Sequence, residues 1–296
     1  MTFAPVAPLD ADVIVCVHNS PDDVRLCLSS VLRTLGSGDR LVIVDDGSAD
    51  ETRLICEAIA VEGGSRVTLI RRAEGSGFCR AANAGLRESA ATVAVLLNSD
   101  TIVTEGWLDR IRNCLSSNWQ IGIAGPLSNA GGWQSVPDYM TGGPPNNAVH
   151  HDEATLDAIQ AWCSLMRPKY PYPIVEQVNG FCIAIRREVL DAIGLFDEEL
   201  FPMGYGEETD FVMRAQDAGF LCAVAIDCFV YHAKTKSYSS EARQRLIKAG
   251  RAHIDRVHGA DRVQAAVKGT QSNPVLAGIR SEARAVFEAN GWLIDR

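Results

Sequence analysis

Four short apolar runs separated by helical patterns constrain the fold of this chain more than any other feature. The runs are 13–17 (VIVCV), 41–44 (LVIV), 67–70 (VTLI) and 93–97 (VAVLL). Continuous apolar runs of this length, rich in β-branched residues, are typical of strands buried on both faces. Strands that alternate with helices predict an α/β fold with a mainly parallel central sheet flanked by helices.

Helix-start signals lie between these runs. Ser20 followed by Pro21 reads as an N-cap with proline at the first helical position. Ser48 and Glu51 have the spacing of a capping box, which predicts that a second helix opens there. A third helix is predicted over 77–88.

Polar residues follow each of the four predicted strands. Ligands of parallel α/β sheets bind beyond the carboxyl ends of the strands, so these residues form one candidate rim, although each alone fits ordinary turn chemistry. The chain has no GxGxxG after the first strand and no GxxxxGK[ST], which argues against dinucleotide and P-loop sites. The rim comprises His18-Asn19-Ser20, Asp45-Asp46-Gly47-Ser48, Glu74-Gly75-Ser76-Gly77 and Asn98-Ser99-Asp100.

Composition narrows the class of protein. The 296 residues carry a net charge of −9, which disfavours nucleic acid as a partner. Nine cysteines without a CxxC pair fit buried free thiols in a reducing compartment. Because the N-terminus lacks a signal-peptide pattern and no apolar stretch approaches the ~20 residues of a membrane span, we expect a cytoplasmic protein.

Several segments, in this order, resemble the inverting glycosyltransferases of family 2, which have the GT-A fold. The resemblance covers roughly residues 12–240. Within the family, the sequence is similar to bacterial enzymes of surface-polysaccharide synthesis, including rhamnosyltransferases. The segments are "VHNS", "LVIVDDGSADET", "GSGFCRAANAGL", "VAVLLNSDTIVTEGWL", "VNGFCIAIRREVLDAIGLFDEEL", "GYGEETDFVMRAQDAGF" and "VYHAKTKSY".

The resemblance implies a role for most of the rim. Asp45 and Asp46 match the aspartates that hold the nucleotide base and ribose. Asn98-Ser99-Asp100 matches the metal-binding DXD motif with its first Asp replaced by Asn, so that Asp100 becomes the main protein ligand of Mn²⁺ or Mg²⁺. His232 matches a histidine that often completes the metal site. The other nucleotide-binding residues that it implies are Val17, Asn19, Gly77, Asn83, Asn98 and Ser99.

The pair Glu207-Glu208 stands where the family has Glu-Asp, whose second member is the general base. Here that member is Glu208, one methylene longer, and Glu207 stays an alternative. On a helix that starts near Glu207, Asp210 and Arg214 are spaced for an i,i+4 ion pair, which predicts a structural role for Asp210. Glu208 lies on the apolar side of the same helix, toward the body of the protein.

Elementary chemistry requires these residue types for sugar transfer. The leaving diphosphate develops negative charge, which a hard cation held by carboxylate and phosphate oxygens stabilises. The acceptor hydroxyl must lose a proton as it attacks, and a positioned carboxylate accepts it. With no second nucleophile evident, a single displacement with inversion follows from the resemblance.

Residues 125–177 interrupt the alternation of strands and helices and are rich in Gly, Pro, Asn and Ser, which predicts irregular loops. Trp133 and Gln134 in this segment, with Asn179 and Gly180 after it, are candidates for contact with the donor or acceptor sugar. The aromatic residues, including Tyr139 and Trp162, equally fit packing beneath a loop.

The C-terminal part is basic and helical in pattern. Between Lys234 and Lys268 there are nine Lys/Arg and three Asp/Glu. A solvated helix face is one interpretation, and a surface for an anionic acceptor or for membrane headgroups is the other.

The sequence therefore predicts a glycosyltransferase domain over 10–240, with a nucleotide-binding half at 10–125 and an acceptor half at 126–240, followed by a helical extension at 241–296. We expect transfer from a UDP-, dTDP- or GDP-linked sugar to a saccharide or lipid-linked acceptor. The alternatives are a sugar nucleotidyltransferase, which would need a Gly-rich basic loop early in the chain, and a non-catalytic carbohydrate- or nucleotide-binding subunit on the same fold.

Overall fold

A computed structural model describes residues 9–139, 148–234 and 240–294. The strands are β1 Ala11–Val17, β2 Arg40–Asp46, β3 Val67–Arg72, β4 Val93–Asn98, β5 Thr101–Val103, β6 Ile121–Leu127, β7 Ile174–Val175, β8 Cys182–Arg186 and β9 Leu221–His232. The helices are α1 Pro21–Thr34, α2 Asp50–Gly63, α3 Phe78–Glu88, α4 Trp107–Ser116, α5 Glu153–Ser164, α6 Met166–Lys169, α7 Arg187–Ile193, α8 Glu207–Asp217, α9 Ser240–Ile254, α10 Ala260–Gln271 and α11 Pro274–Ala289.

The strands form one sheet in the order β3-β2-β1-β4-β8-β6-β9-β5, with β7 paired to β9. β1 to β4 pair in parallel, which confirms the predicted architecture of the first half. The second half is mixed, because β8 runs antiparallel to β4 and β6, and β5 and β7 run antiparallel to β9. Apolar runs reveal that a strand is buried but not its direction, so the sequence could not predict this change.

The predicted helix starts are only partly right. Ser20 occupies the N-cap position of α1 but has φ 60° and makes no capping hydrogen bond. The predicted capping box is wrong, since α2 begins at Asp50 with Ala49 as its N-cap. Ser48 Oγ instead accepts a hydrogen bond from Asn19 N, and Asn19 Oδ1 accepts one from Ala49 N. These groups join the loops after β1 and β2, a tertiary use that competes with local capping. The helix predicted from Gly77 to Glu88 is confirmed.

The segment 125–177 is less irregular than predicted. It includes the end of β6, the short β7 and two helices, of which α5 is capped by the Asp152 carboxylate at Thr155 N. Helix α5 buries Ile159, Trp162 and Cys163. Trp162 thus packs in the core instead of facing a ligand. The part of the predicted loop at 140–147 lies outside the described residues.

The C-terminal helices belong to the same hydrophobic core as the sheet. Helix α11 buries Leu276, Ile279, Ala283 and Phe287, which recur at the spacing of one helical face. The Phe287 ring makes edge-to-face contacts with Trp162 and Trp292, with centroids 5.4 and 5.2 Å apart. The division of the chain at residue 240 stays a prediction.

All nine cysteines are free, and every one except the partly buried Cys16 is buried, as predicted. Burial raises the pKa of the Cys27 thiol to about 12, so it stays protonated and unreactive. Throughout the described ranges, every helix is too short or too polar to cross a membrane.

Candidate functional site

The carboxyl ends of β1, β2 and β4 lie side by side, as expected from the polar residues that follow these strands. The strand register pairs Val17 with Asp45 and Cys16 with Asn98. The carboxyl ends of three adjacent strands therefore carry Val17, Asp45 and Asn98.

The two aspartates after β2 have different surroundings. Asp46 Oδ2 accepts hydrogen bonds from Ser76 N and Gly77 N, both at 2.9 Å, and Oδ1 accepts one from Ser76 Oγ at 2.8 Å. Arg72 Nε lies 3.1 Å from Asp46 Oδ1. The Asp45 carboxylate receives a hydrogen bond from Ser48 N. Asp46 therefore holds the loop after β3 in place, while Asp45 has fewer protein partners.

Gly77 and Asn83 lie on the same side of the sheet but serve the fold. Gly77 has φ 93°, and a Cβ there would lie 2.2 Å from the Pro202 carbonyl oxygen, so glycine allows this close approach. The buried Asn83 amide donates to Phe196 O and Glu198 Oε1 and accepts from Phe196 N. Its visible role is to fix the loop at 196–198 beneath the site.

Asp100 and His232 are brought together by a strand pairing. β5 runs antiparallel to β9 and places Thr101 opposite His232, while Ala233 N donates to Asp100 O. The His232 Nε2 atom lies 3.3 Å from Asp100 Oδ1. Residues 132 positions apart in the chain thus meet at one point, as the resemblance implied.

Three neighbours fix the orientation of the His232 ring. Its Nδ1 lies 2.9 Å from the Ala130 carbonyl oxygen, to which it can only donate. Asn129 bonds both the His232 backbone N–H and C=O, and the Phe181 ring stacks on the imidazole at 5.2 Å. A proton on Nδ1 leaves the Nε2 lone pair directed to the Asp100 side, an arrangement typical of metal-binding histidines.

These two side chains fit a divalent cation. Carboxylate oxygen and imidazole nitrogen suit Mn²⁺ well. Among the described residues there is no group of three or more His, Cys, Asp or Glu side chains that could hold a metal ion. The remaining ligands of a cation would therefore come from diphosphate oxygens and water.

Helix α8 begins at an unusual turn. Gly204, Tyr205 and Gly206 have φ values of 85°, 69° and 133°. A positive φ is strained for tyrosine but readily adopted by glycine. Gly206 N donates to Glu207 Oε2 at 2.9 Å, so the turn is bonded directly to the first glutamate.

Glu208 extends over Gly180, where a Cβ would lie 3.6 Å from Glu208 Cβ. Its Oε2 atom is buried and has no hydrogen-bond partner in the described part of the chain. Burial raises the pKa of Glu208, and burial together with the Glu208 charge raises the pKa of Glu207 well above its usual value. Both carboxyl groups therefore hold a proton more readily than an exposed glutamate, and the two do not easily carry a charge at the same time.

The remaining predicted side chains divide into two groups. Gln134 is fully buried, donates to Pro126 O and accepts from Asn179 N, so its amide serves the loops and not a sugar. The Trp133 indole N–H is buried and has no partner among the residues that the structure describes. Ser99 and Asn179 are partly exposed, next to Asp100 and Gly180 respectively.

The predicted pair of Asp210 and Arg214 forms, with Asp210 Oδ2 2.8 Å from Arg214 Nε. The Asp210 side chain is only 6% exposed. Its other oxygen, Oδ1, lies 2.8 Å from Nε2 of His258 in the C-terminal extension. Sequence patterns offer no signal for this contact between residues 48 positions apart. Asn129 was also missed, although it follows β6 as the rim residues follow their strands.

Comparison with protein families supports the site. Residues 12–194 match the model of "Glycosyl transferase family 2", which is more than half of the chain. The chain belongs to glycosyl transferase family 2. The matched range includes Asp45, Asp46 and Asp100 but ends before Glu207.

The curated relatives are distant, and each match covers only part of the relative. Glycosyltransferase GlyG of Streptococcus pneumoniae serotype 4 is 25% identical over 33% of this chain and 33% of its own length. An uncharacterized glycosyltransferase of Nostoc sp. (strain PCC 7120) is 26% identical over 61% of this chain and 52% of its own length. The chain thus spans about a third to a half of these relatives.

Solved structures show the same GT-A fold. The mannosyltransferase PcManGT from Pyrobaculum calidifontis, in complex with GDP-Man and Mn²⁺, has a TM-score of 0.61 at 16% identity and covers 96% of this chain and 76% of its own. GalNAc-T7 with UDP, GalNAc and Mn²⁺ has a TM-score of 0.61 at 16% identity and covers 97% of this chain and 58% of its own.

Proposed function

We propose that this family 2 protein is a metal-dependent inverting glycosyltransferase that moves a sugar from a nucleotide donor to an acceptor hydroxyl. One observation carries the proposal. Gly180 lies next to Glu208, since a Cβ added there would be 3.6 Å from Glu208 Cβ, the adjacent Phe181 ring stacks on His232, and Phe181 O accepts from Asn98 N. A single segment therefore connects the candidate base, the candidate cation ligand and the nucleotide rim.

Asp100 and His232 would hold the cation, which would stabilise the charge that develops on the leaving diphosphate. The chain's own contribution is to fix both ligands before binding. The β5–β9 pairing positions Asp100, while Ala130, Asn129 and Phe181 orient His232. Mn²⁺ in the complexes of PcManGT and GalNAc-T7 supports this ion, and Mg²⁺ is the alternative.

Glu208 is the proposed base, and Glu207 its protonated neighbour. A buried carboxylate with a raised pKa accepts a proton near neutral pH more readily than an exposed one. Although buried in this structure, the Oε2 atom of Glu208 is free of hydrogen bonds to the described residues. Asp210, bonded to Arg214 and His258, is not.

The nucleotide is proposed to lie across Val17, Asp45 and Asn98, with Asn19, Asp46, Ser99, Gly77 and Asn83 shaping or lining its surroundings. GDP-Man and UDP in the neighbouring structures support a nucleotide-linked donor. The acceptor is proposed to be a saccharide or lipid-linked sugar of a bacterial surface polysaccharide, placed near Trp133, Asn179 and Gly180.

We propose a cytoplasmic location with a peripheral membrane contact through the basic region 234–268. Buried free cysteines fit a reducing compartment. Arg245, Lys248 and Arg251 are exposed on α9, which supports attraction to anionic headgroups.

A thermal-shift panel tests the proposal. UDP, GDP and dTDP are added with Mn²⁺ or with EDTA, and we expect one nucleotide to raise the melting point more strongly with the metal. In Asp100→Ala the metal-dependent part of the shift should disappear. Asp109→Ala, which removes a 76% exposed carboxylate on α4, is the control and should retain it. No shift with any nucleotide would overturn the proposal.

Turnover is measured as release of the nucleoside diphosphate. The substrates are nucleotide sugars with the nucleotide that raises the melting point. Glu208→Gln keeps the shape of the side chain but cannot accept a proton, so kcat should fall by about 10²-fold or more with donor affinity retained. Loss of turnover in Glu207→Gln alone, with Glu208→Gln active, would move the base to Glu207.

A further inference from the structure

The turn before the candidate base is braced by the C-terminal extension. A Cβ added to Gly250, in the middle of α9, would lie 1.8 Å from the Tyr205 carbonyl oxygen. A Cβ at Gly206 would lie 2.8 Å from Ile254 Cδ1, also on α9. Gly250 and Ile254 are one helical turn apart, so a single face of α9 presses on the turn.

This bracing acts on a strained backbone. Tyr205, with φ 69°, lies between two glycines that also have positive φ. A non-glycine residue in this conformation persists only when its surroundings enforce it. The closely packed α9 backbone is such a surrounding, and it is close enough only because residue 250 has no side chain.

A second contact holds the first turn of α8 itself. His258, between α9 and α10, lies with Nε2 2.8 Å from Asp210 Oδ1, and both side chains are at most 6% exposed. Asp210 also bonds Arg214, whose guanidinium donates to Ile193 O and Leu195 O. The helix that carries both glutamates is thereby fixed on one side to the α7 loop and on the other to the extension.

We propose that Gly250 and His258 are positioning residues for the Glu207-Glu208 pair, so that the C-terminal extension completes the catalytic apparatus. The inference rests on the proposed function for the role of Glu208. It adds residues that touch neither nucleotide nor acceptor and act through the 204–206 turn and through Asp210.

The test compares two glycines of the extension. In Gly250→Ala the new methyl group must displace the turn, and turnover should fall about 10- to 100-fold, as expected when a catalytic group moves by ~1 Å. In Gly269→Ala, in α10, the nearest atom to the added Cβ is Glu176 Cγ at 3.5 Å, so turnover should be unchanged. The probes are UDP-glucose, UDP-galactose, UDP-N-acetylglucosamine, GDP-mannose and dTDP-rhamnose with MnCl₂, read as released diphosphate.

His258 is tested by a conservative rescue. His258→Ala leaves the buried Asp210 Oδ1 without its donor, whereas His258→Gln keeps an N–H donor on a side chain of similar reach. We expect kcat to fall in His258→Ala with KM for the donor unchanged, and to recover partly in His258→Gln. Equal losses in both variants, or a rise in KM alone, would contradict a positioning role.

Hydrogen exchange of the amides at 204–211 gives a readout that needs no turnover. Exchange should accelerate in Gly250→Ala and His258→Ala and stay unchanged in Gly269→Ala. If Glu208→Gln retains turnover while Gly250→Ala loses it and exchanges faster, the role of Glu208 is wrong but the bracing stands. Unchanged turnover and exchange in Gly250→Ala would overturn the inference. If the wild-type protein hydrolyses none of the five donors, hydrogen exchange at 204–211 alone tests whether the extension braces the turn.

Discussion

Glu207 and Glu208 are adjacent in sequence, but the helix gives them different environments. Glu207 turns back to Gly206 N and is buried against the 204–206 turn. Glu208 lies over Gly180 with an oxygen that lacks a partner. Two carboxyls this close do not both ionise easily, so the pair behaves as one acid and one base.

Glu207→Gln should change how stability depends on pH. The raised pKa means that folded Glu207 retains its proton when the unfolded chain has lost it, so the wild type loses stability as pH rises above the ordinary value of 4.5. The loss is about 1.4 kcal/mol per pH unit until the folded pKa is reached. Glutamine cannot ionise, yet its oxygen can still accept from Gly206 N. The free energy of unfolding of the variant should therefore rise relative to that of the wild type as pH increases. Below pH 4.5 the two should be equal.

Urea unfolding across this pH range measures the difference. Glu62→Gln, which changes an exposed carboxyl near the end of α2, is the control and should follow the wild type. If the difference in unfolding free energy between Glu207→Gln and the wild type does not change with pH, the raised pKa is contradicted.

At the scale of elements, the rim depends on loops that hold one another. Asp46 ends β2 and accepts three hydrogen bonds from the loop after β3. Asn19 N donates to Ser48 Oγ and Asn19 Oδ1 accepts from Ala49 N, which joins the loops after β1 and β2. Hydrogen bonds within the protein thus hold the loops at the carboxyl ends of β1, β2 and β3 together.

Asp46→Ala should loosen that edge. The change leaves Arg72 and two backbone N–H groups of the loop without their acceptor, which costs about 1–3 kcal/mol for each buried unpaired group. Metal-free nucleoside diphosphate binding should weaken as well. Asp45→Ala, with one hydrogen bond to Ser48 N to lose, should cost less stability. Calorimetry separates the two variants, and equal losses would contradict the assigned role of Asp46 in the loop.

The sequence predicted the elements whose signal is local. β1, β2 and β4 are buried apolar runs, β3 is an apolar run that is only partly buried at the end of the sheet, and the Asp210–Arg214 pair follows from i,i+4 spacing. Three features have no such local signal: the direction of β8, the joining of loops by Ser48 and the approach of His258 to Asp210. Each depends on tertiary contacts, which produce no periodic pattern in the sequence. The proposed metal and base roles rest on the resemblance, and the structure supplies the orientation of those side chains.

At the scale of the whole molecule, the extension and the sheet share one core. Phe287 of α11 is fully buried between Trp162 and Trp292, which belong to different parts of the chain. Arg280 bonds the carbonyl groups of Trp133 and Ser135, so α11 also holds the segment proposed to lie near the acceptor.

Phe287→Ala should therefore destabilise the entire protein by about 3–5 kcal/mol, the usual cost of removing a buried phenylalanine. Val257→Ala, at a side chain that is 51% exposed, is the control and should cost little. Differential scanning calorimetry should show one transition shifted to lower temperature. An early transition of the extension alone, with the remainder melting as in the wild type, would instead support a separate unit after residue 240.

The order of residues along the chain has a consequence for synthesis. The rim is encoded in the first hundred residues, and its strands can pair as they leave the ribosome. The glutamate pair and His232 follow more than a hundred residues later, and the helix that presses on the 204–206 turn comes later still. A nascent chain can thus form the proposed nucleotide site well before it contains the proposed base, and premature termination before α9 leaves the strained turn without its support.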